Sequence, residues 1–592
     1  MNAPGRLHAH LMCRVHLGRV FPRLWLCCCL ALVSVPLRAV ELEVALRPVF
    51  AGEPLRLDAL SYTSGAGETL SVTRLSVLLS GWALEREDGG WEELPGCFAW
   101  LDAEQRRMTA RLTGIPAGRY RALRFHLGPD AATNAADPAQ WSAEHPLNPN
   151  VNRMHWGWQG GYIFLALEGR YRAAAGELRG FAHHLARDEN RTRISLVAPL
   201  DLTTHGAGVV LDFDLGAMLG APRPLGFARD GEATHSRESD PVAAALVANL
   251  PGAFRVRQVD SAAPAITRPA PVQPLFLPER WTAHRFTMNR TFPMPNLPRD
   301  NPLITERVAL GGRLFQERAL SRDGSLSCAS CHAADAAFTD GRAVSVGFGG
   351  TKGTRNAMPL FNLAWKTSFF WDGRAPTLRA QVLDPIQDHA EMGAALEGVV
   401  EKLAAAPGYS EAFRAAFGSA EITSHKLALA LENFLLTLTA GDAKLDRAMR
   451  GAATLSSEEA RGFELFLTEN DPRTGQRGAD CFHCHGGPLF SDHGFHNNGL
   501  LSNDPGRFRV TGSEADRGKF STPSLRNVER TAPYMHDGRF SSLEEVVAHY
   551  SGGIQRTPTL DPNLAKHPVG GLQLNAADQA ALVAFLRTLT EL

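Results

Sequence analysis

The period of hydrophobic and polar positions changes near residue 255. Before it, from residue 40, apolar and polar residues alternate in short runs that turn residues separate. These runs cover residues 42–50, 73–79, 120–125, 162–167, 193–197 and 208–214. Alternation with a period of two, repeated at this spacing, predicts an antiparallel β-sandwich for residues 40–255.

After residue 300 the apolar positions follow the period of an α-helix instead. The helical patterns cover residues 306–316, 427–438, 457–467, 543–549 and 576–589. Residues 256–300 hold several prolines without periodicity, which is typical of an extended, semi-stiff linker. The predicted fold is therefore multidomain, with a β-sandwich followed by mostly α-helical lobes.

The helical part contains an internal repeat. Residues 362–374 align without a gap with residues 527–539, and both segments end in Asp-Gly-Arg. Such self-similarity predicts two related lobes, which we place at residues 301–450 and 451–592.

Each lobe carries one C-x-x-C-H motif, formed by Cys328, Cys331 and His332 in the first and by Cys481, Cys484 and His485 in the second. The two thiols of such a motif can bond a haem covalently, and the adjacent imidazole can ligate its iron. A zinc site and a thioredoxin-like redox pair are the competing interpretations. Zinc would not require a histidine after both pairs, and no βαβ pattern surrounds either motif. We therefore predict two cytochrome c-like lobes, each with one c-type haem.

The first 39 residues have the pattern of a secretory signal peptide, with basic residues before an apolar run at 24–35. An uncleaved interfacial anchor is the competing interpretation, and no later apolar run is long enough to span a membrane. Export agrees with covalent haem attachment, so we predict a periplasmic protein. Its 61 basic and 62 acidic residues leave no basic field for nucleic acid.

One stretch of the N-terminal half is dense in histidine and tryptophan. It contains His145, His155, Trp156 and Trp158, and His183 and His184 follow it. Histidine is a common copper ligand. A core aromatic cluster with surface histidines explains the same spacing, and the residues alone favour that interpretation.

The order of motifs in this half resembles the MbnP family of periplasmic copper-binding proteins. The resemblance is carried by Trp91, residues 116–128, the His-Pro-Leu-Asn-Pro-Asn run at 145–150, residues 154–162, Glu168-Gly169 and His184-Leu185. In that family a separate diheme enzyme of the MauG type oxidises a tryptophan to kynurenine, which helps to form the copper site. The resemblance implies copper bound by His184 and His155, with His145 and His183 behind them. For the modified residue it favours Trp156 and Trp158, with Trp82 and Trp91 as alternatives.

Residues 300–590 resemble the bacterial diheme cytochrome c peroxidase/MauG family, on the two haem motifs and the Phe-Phe-Trp-Asp-Gly-Arg run that ends at Arg374. The resemblance implies two c-type haems with a calcium ion between the lobes. It makes Trp371 the tryptophan between the haems, Gln381 and Pro385 pocket residues, and Glu391 the acid–base group at the peroxide site. The positions that it matches to calcium binding are Asn356 and the backbones of Thr531 and Pro533.

Two departures from the peroxidases indicate the subtype. No histidine lies between His332 and His389, so we expect the first haem to be open at rest. Tyr550 stands where the peroxidases carry a methionine ligand of the second haem, as in MauG-like enzymes, and Met535 is the competing ligand. An oxyanion ligand favours higher iron oxidation states than a thioether does.

Three functions remain open on the sequence. The first is a diheme oxidase that uses hydrogen peroxide to convert a tryptophan of its own N-terminal domain to kynurenine, after which that domain binds copper. The second is a peroxidase that takes electrons from a small c-type cytochrome. The third is a copper-storage module with an attached electron-transfer unit. The first is favoured because fusion raises the effective concentration of the two parts.

Overall fold

The computed structural model describes residues 39–156, 160–172, 176–260, 272–471 and 475–591. The predicted signal peptide lies outside the described residues except for Ala39, and so do Trp158 and part of the linker. Within the described ranges, no helix combines the length and the apolar character that crossing a membrane requires.

The N-terminal half is built from fourteen strands and five short helices within its described ranges. The strands are β1 (Ala39–Phe50), β2 (Glu53–Pro54), β3 (Tyr62–Thr63), β4 (Thr69–Arg86), β5 (Trp91–Leu94), β6 (Ala99–Asp102), β7 (Thr109–Pro116), β8 (Arg119–Leu127), β9 (Ile163–Arg172), β10 (Leu178–Ala186), β11 (Thr192–Asp201), β12 (Ala207–Asp214), β13 (Ala233–Thr234) and β14 (Phe254–Asp260). The helices are α1 (Ala131–Ala135), α2 (Pro149–Asn152), α3 (Leu215–Gly220), α4 (Phe227–Asp230) and α5 (Pro241–Ala253).

These strands form two sheets that share one core. One sheet has the order β14-β12-β1-β2 with β7 beside β1, and the other has the order β11-β8-β4-β9-β10-β13 with β3, β5 and β6 beside β4. Phe125 of the second sheet meets Phe254 of the first at 5.4 Å between ring centroids, because alternate residues of each strand face inward. The predicted sandwich is confirmed. Most strand pairs are antiparallel, but β1 pairs in parallel with β12, and β10 with β13.

The C-terminal half is mostly helical, as predicted. Its helices are α6 (Thr305–Phe315), α7 (Leu378–Gln381), α8 (Asp384–Gln387), α9 (Leu396–Ala405), α10 (Tyr409–Phe417), α11 (Ser424–Leu436), α12 (Lys444–Met449), α13 (Ser457–Leu467), α14 (Phe482–His485), α15 (Phe508–Thr511), α16 (Leu543–Ala548), α17 (Pro562–Ala565) and α18 (Ala576–Arg587). Two short strands, β15 (Phe495–His496) and β16 (Phe520–Ser521), pair in antiparallel fashion, and a π-helical turn covers His549–Gly553.

The internal repeat of the sequence appears as a repeat of structure. Phe369 bridges to Ala375 in the first lobe, and Tyr534 bridges to Phe540 at the matching positions of the second. The long helices pair alike, α6 with α11 and α13 with α18. A Cβ on Gly311 of α6 would overlap the carbonyl oxygen of Ala430, and a Cβ on Gly462 of α13 would overlap that of Ala581. Each pair of helices therefore approaches closely through a glycine.

The N-terminal half packs against the second lobe through β9 and β10. Nine of the ten residues of β9 are buried, because one face covers the sandwich core and the other contacts the cytochrome lobe. The Arg170 Nε–H donates to the carbonyl oxygen of Leu560 at 3.1 Å. A Cβ on Gly180 of β10 would overlap the carbonyl oxygen of Pro562, so α17 lies directly on the strand.

Candidate active site and metal centre

The first C-x-x-C-H motif presents a histidine to a cavity. Cys328–Ser330 forms a short 3-10 turn, and the Nδ1–H of His332 donates to the carbonyl oxygen of Phe338 at 2.9 Å. That bond fixes the ring and leaves Nε2 available to a metal. Burial lowers the pKa of His332 below its ordinary value, which favours the neutral imidazole that iron ligation requires.

The cavity beside His332 has a volume of about 530 Å³ and brings together the residues that the sequence selected for peroxide chemistry. Trp371, Gln381, Pro385 and Glu391 all line it, together with both cysteines of the motif. Gln381 ends α7, whose first turn is capped by the Thr377 hydroxyl, and Pro385 lies in the first turn of α8. Two thiols, an oriented imidazole and a largely apolar wall fit a covalently attached haem.

Glu391 has the electrostatics of a proton-transfer group. Burial, together with the negative charges of Asp388 and Asp384, raises the pKa of its carboxyl to about 7, against an opposing effect of Arg374. Its backbone is held by Phe348, whose N–H donates to the Glu391 carbonyl oxygen at 2.6 Å. A carboxyl that titrates near neutral pH can both accept and return a proton.

The second C-x-x-C-H motif repeats this arrangement. His485 ends α14, and its Nδ1–H donates to the carbonyl oxygen of Phe490 at 3.1 Å. Cys481, Cys484 and His485 line a cavity of about 220 Å³. The match between the two motifs extends to the residue that orients each histidine, since Phe338 and Phe490 each begin a Phe-[Thr/Ser]-Asp sequence.

Both candidate sixth ligands line this second cavity. Tyr550 lies in the π-helical turn, a local irregularity that often occurs at functional sites. The Asn498 Nδ2–H lies 3.4 Å from the Tyr550 hydroxyl and 3.5 Å from the Met535 sulfur, so it contacts both candidates. Burial raises the pKa of Tyr550 to about 12. The choice between tyrosine and methionine stays a prediction.

Trp371 lies between the two cavities. It lines both of them, as do Asn356 and Pro359, and its side chain is 8% exposed. Its Nε1–H donates to the carbonyl oxygen of Asn356 at 2.9 Å. The three predicted calcium positions, Asn356, Thr531 and Pro533, line the second cavity together, and calcium there stays a prediction.

The four predicted copper ligands have different contact partners, although His155 and His184 line the same small cavity. His184 of β10 is buried, and its Nε2 lies 3.0 Å from the Glu168 carboxylate, which also binds Arg74 at 2.8 Å. His155 packs edge-on against Tyr162 at 4.7 Å, and burial lowers its pKa to about 4. The two weaker candidates point elsewhere: His145 stacks on Trp141, and His183 stacks on Phe227.

A cluster of three histidines includes two residues that the sequence did not single out. His184, His235 and His483 each offer a ring nitrogen, and these nitrogens lie within 4.8 Å of one another. His235 follows β13, which lies beside β10, so strand pairing brings it to His184. His483 lies inside the second haem motif, between Cys481 and Cys484.

Carboxylates orient this three-histidine cluster. Glu469 lies 3.1 Å from Nδ1 of His235 and 3.0 Å from Nε2 of His483, and it also pairs with Lys566. Positive neighbours hold the pKa of Glu469 well below its ordinary value despite its burial. Histidines whose second nitrogen binds a carboxylate are typical of metal sites.

Trp156 borders the three-histidine cluster. Its ring centroid lies 5.7 Å from that of His235 and 6.4 Å from that of His184. It lines a small cavity of about 90 Å³ together with Phe482 and His483 of the second lobe. The other candidates differ: Trp82 is fully buried in the sandwich core, Trp91 lies under the guanidinium of Arg124, and Trp158 lies outside the described residues.

Comparisons divide the chain as the fold does. The family described as di-haem cytochrome c peroxidase matches residues 305–454, and the MbnP family matches residues 39–236. Methylamine utilization protein MauG of Methylorubrum extorquens is 42% identical over 297 residues, which cover 49% of this chain and 80% of that protein. Cytochrome c551 peroxidase of Nitrosomonas europaea is 33% identical over 300 residues, which cover 49% of this chain and 81% of that protein.

Among solved structures, one described as a MauG-like protein associated with microbial copper homeostasis is 35% identical. It covers 52% of this chain and 96% of its own, with a TM-score of 0.47.

Proposed function

Since the chain belongs to the di-haem cytochrome c peroxidase/MauG family and carries an MbnP domain before it, we propose that it oxidises Trp156 of its own N-terminal domain with hydrogen peroxide. The C-terminal half is a peroxide-dependent diheme oxidoreductase with two c-type haems. The product at Trp156 is kynurenine, and the modified domain binds copper.

The observation that carries this proposal is the row of rings between Trp156 and the second haem motif. The Trp156 ring lies 5.7 Å from His235, and the His235 ring lies 4.9 Å from His483. His483 stacks on Phe482 at 4.2 Å, and both belong to the haem-bonding segment. Electrons can leave Trp156 along this row, although the indole itself stays outside the haem cavities.

Two bound haems would allow the chain to remove two electrons from Trp156 for each molecule of hydrogen peroxide that is reduced. Glu391 accepts a proton from the proximal peroxide oxygen and returns it to the leaving one, with Gln381 as the hydrogen-bonding partner in the same cavity. Trp371 connects the two haem cavities. Tyr550 is the proposed sixth ligand of the second haem, where an oxyanion favours the oxidised metal.

The reaction balances with two molecules of peroxide. Tryptophan and two hydrogen peroxide give N-formylkynurenine and two waters, so the indole loses four electrons and each peroxide gains two. One further water then hydrolyses the formyl group, which leaves kynurenine and formate. No oxidant other than peroxide is required.

The proposal also covers the compartment of the protein and its calcium and copper ions. The protein works in the periplasm, after removal of residues 1–39. Calcium lies at Asn356 and the carbonyls of Thr531 and Pro533. Copper is bound near His184, on the face of β10 that meets the second lobe. His155 lines the same small cavity as His184 and is the alternative ligand that the resemblance implies.

The test is peptide mass mapping of the haem-loaded full chain before and after hydrogen peroxide. We expect the Trp156 peptide to gain two oxygen atoms and then to lose the formyl group. Glu391→Gln should prevent the change, and Trp141→Phe, a nearby tryptophan that stacks on His145, should leave it intact. Oxidation of Trp158 in place of Trp156, or of neither, would contradict the proposal.

A second function is favoured by one contact. Asn498 reaches the Met535 sulfur as well as the Tyr550 hydroxyl, so the thioether and the phenol lie beside each other in the second cavity. A histidine–methionine haem would accept electrons from a small c-type cytochrome, and the chain would then reduce peroxide catalytically. Steady turnover of peroxide with a reduced cytochrome, with Trp156 unmodified, is the result that would distinguish this function.

A further inference from the structure

We propose that His184, His235 and His483 bind one Cu(I) ion, in a site to which both halves of the chain contribute. Two ligands come from the sandwich and the third comes from the haem-bonding segment of the second lobe. The choice of copper rests on the proposed function, whereas the ligand set rests on the geometry below.

The three rings surround a common point. Their centroids lie 5.0 Å apart for His184 and His235, 4.9 Å for His235 and His483, and 5.7 Å for His184 and His483. All three side chains are at least nine-tenths buried. The site is therefore closed to bulk water, which suits a reduced ion.

Two of the ring nitrogens lack a partner. Nδ1 of His184 and Nε2 of His235 are buried, and neither has a hydrogen bond within the part of the chain that the structure describes. A buried imidazole nitrogen without a partner is unfavourable, because it has given up its hydrogen bond to water. A metal ion would satisfy both nitrogens at once.

The opposite nitrogens are held by carboxylates. Glu168 binds Nε2 of His184, and Glu469 binds Nδ1 of His235 and Nε2 of His483. For His184 and His235 this pattern fixes the ring and the tautomer, and it makes the unpartnered nitrogen a better metal ligand. Both carboxylates are already paired with a cation, Glu168 with Arg74 and Glu469 with Lys566.

The ligand set points to a late transition metal of low charge. Imidazole nitrogens suit copper and zinc rather than calcium or magnesium, which require oxygen ligands. The three imidazoles are neutral ligands, and the carboxylates behind them already have a cation, Arg74 at Glu168 and Lys566 at Glu469. A monovalent ion is easier to bury in such a site than a divalent one.

The docking of the two halves holds the site together. The Asn563 Nδ2–H of α17 donates to the second oxygen of Glu168 at 3.2 Å, so the second lobe also fixes the carboxylate behind His184. On the same two strands, Gly180 lies against the backbone of Pro562 in α17, and Arg170 donates to the carbonyl oxygen of Leu560 just before α17. The site therefore requires the docked chain, and the N-terminal domain alone would supply two of the three ligands.

The position of His483 links the metal to the second haem. It stands between the two cysteines that bond that haem, so an ion on its ring acts on the segment that carries the porphyrin. We expect Cu(I) binding to shift the absorption spectrum of the second haem. The shift should disappear in His483→Gln even where copper still binds weakly.

The experiment titrates the haem-loaded, peroxide-treated full chain with Cu(I) against a coloured Cu(I) chelator. The variants His184→Gln, His235→Gln and His483→Gln should each weaken binding by at least about tenfold to a hundredfold, the loss caused by removing even an outer partner of a ligand. His493→Gln is the matched control, since His493 is also buried and lines the same small cavity but is not one of the three. Copper-edge X-ray absorption should count three nitrogen ligands in the parent chain and fewer in His483→Gln.

The outcomes separate this inference from the proposed oxidation. Unchanged affinity and unchanged ligand number in His483→Gln would confine the site to the N-terminal domain and overturn the inference, as would loss of binding in His155→Gln alone. Copper binding that depends on His483 in a chain whose Trp156 stays unmodified would support the inference and contradict the oxidation. Haem content and circular dichroism of each variant establish that it is folded.

Discussion

The indole Nε1–H of Trp371 donates to the backbone carbonyl of Asn356 at 2.9 Å, and both residues line both haem cavities. This bond fixes the plane of the indole between the two motifs. The indole thus borders both the first cavity, which Glu391 lines, and the second, which Tyr550 lines.

Replacement of Trp371 by phenylalanine should separate peroxide reaction from tryptophan oxidation. The first haem would still react with peroxide, because Glu391 and Gln381 are untouched, but oxidation of Trp156 should slow by at least about tenfold. Stopped-flow absorbance gives the first rate and timed peptide mapping gives the second. Trp365→Phe is the control, because Trp365 is buried in the first lobe with its Nε1–H on the Pro293 carbonyl and lines neither cavity. Equal slowing of both reactions would contradict this role.

The reaction with peroxide should depend on the ionisation of Glu391. Only the carboxylate can accept the first proton, and burial raises the pKa of this group to about 7. The rate should therefore rise with pH and level off above about 7, and Glu391→Gln should lower it by about a hundredfold to ten-thousandfold and remove the pH dependence. Asp388→Asn should move the midpoint to lower pH, because the Asp388 charge raises the pKa of Glu391. A midpoint that does not respond to Asp388 would assign the titration to another group.

The Glu391 contribution to the free energy of unfolding should fall as pH rises from about 4.5 to about 7, whereas the rate of reaction with peroxide should rise. The Glu391 pKa is raised in the folded chain, so from about 4.5 upward the unfolded chain ionises first and binds fewer protons than the folded one. This group therefore lowers the free energy of unfolding as pH rises to about 7, and its contribution is constant above that. Urea unfolding of the parent chain and of Glu391→Gln at several pH values measures the difference between them. A difference that does not vary with pH would contradict the raised pKa.

Exchange of Tyr550 for methionine should convert the second haem into an electron-entry site. The reduction potential of that haem should rise by on the order of a few hundred millivolts, within the range of about 0.8 V that axial ligands span. Oxidation of Trp156 should fall, while peroxide reduction by an added cytochrome should increase. Met535→Leu is the matched control and should leave the potential unchanged if Tyr550 is the ligand. A change of potential in Met535→Leu would instead identify Met535.

The contact of β10 with α17 should be sensitive to a single methyl group. Gly180→Ala would force its Cβ against the Pro562 carbonyl, which cannot move independently of α17. We expect a loss of about 1–3 kcal/mol in the free energy of unfolding and a slower oxidation of Trp156, with peroxide reaction at the first haem retained. Gly208→Ala on β12 has only ordinary contacts at its Cβ and is the control. Calorimetry and peptide mapping measure the two effects.

Local pattern in the sequence was sufficient for much of this fold. Strand alternation gave the sandwich, helical periodicity gave the long helices, and the two haem motifs with their aligned Asp-Gly-Arg segments gave the two lobes. The start of α13 is likewise local, because a capping box between Ser456 and Glu459 fixes it. These features depend on neighbours in the chain, which is why periodicity and spacing reveal them.

The three-histidine cluster could not be predicted from local sequence pattern. His235 reaches His184 through a parallel strand pair, and His483 reaches both only because the two halves dock. His483 also lies at one of the two variable positions of the second C-x-x-C-H motif, and the haem-binding role of that motif does not depend on which residue stands there. No local pattern encodes a contact between residues almost 300 positions apart, and only the packing of β10 beside the second lobe reveals it.

The burial of β9 on both faces has a consequence for how often this protein can act. Because β9 is buried on both faces, the N-terminal domain would stay docked on the second lobe. Each molecule would then present a single substrate indole, that of Trp156, to its own haem segment. The oxidation would then be a single event of maturation, and peroxide demand would follow the rate of synthesis of the chain instead of the level of any metabolite.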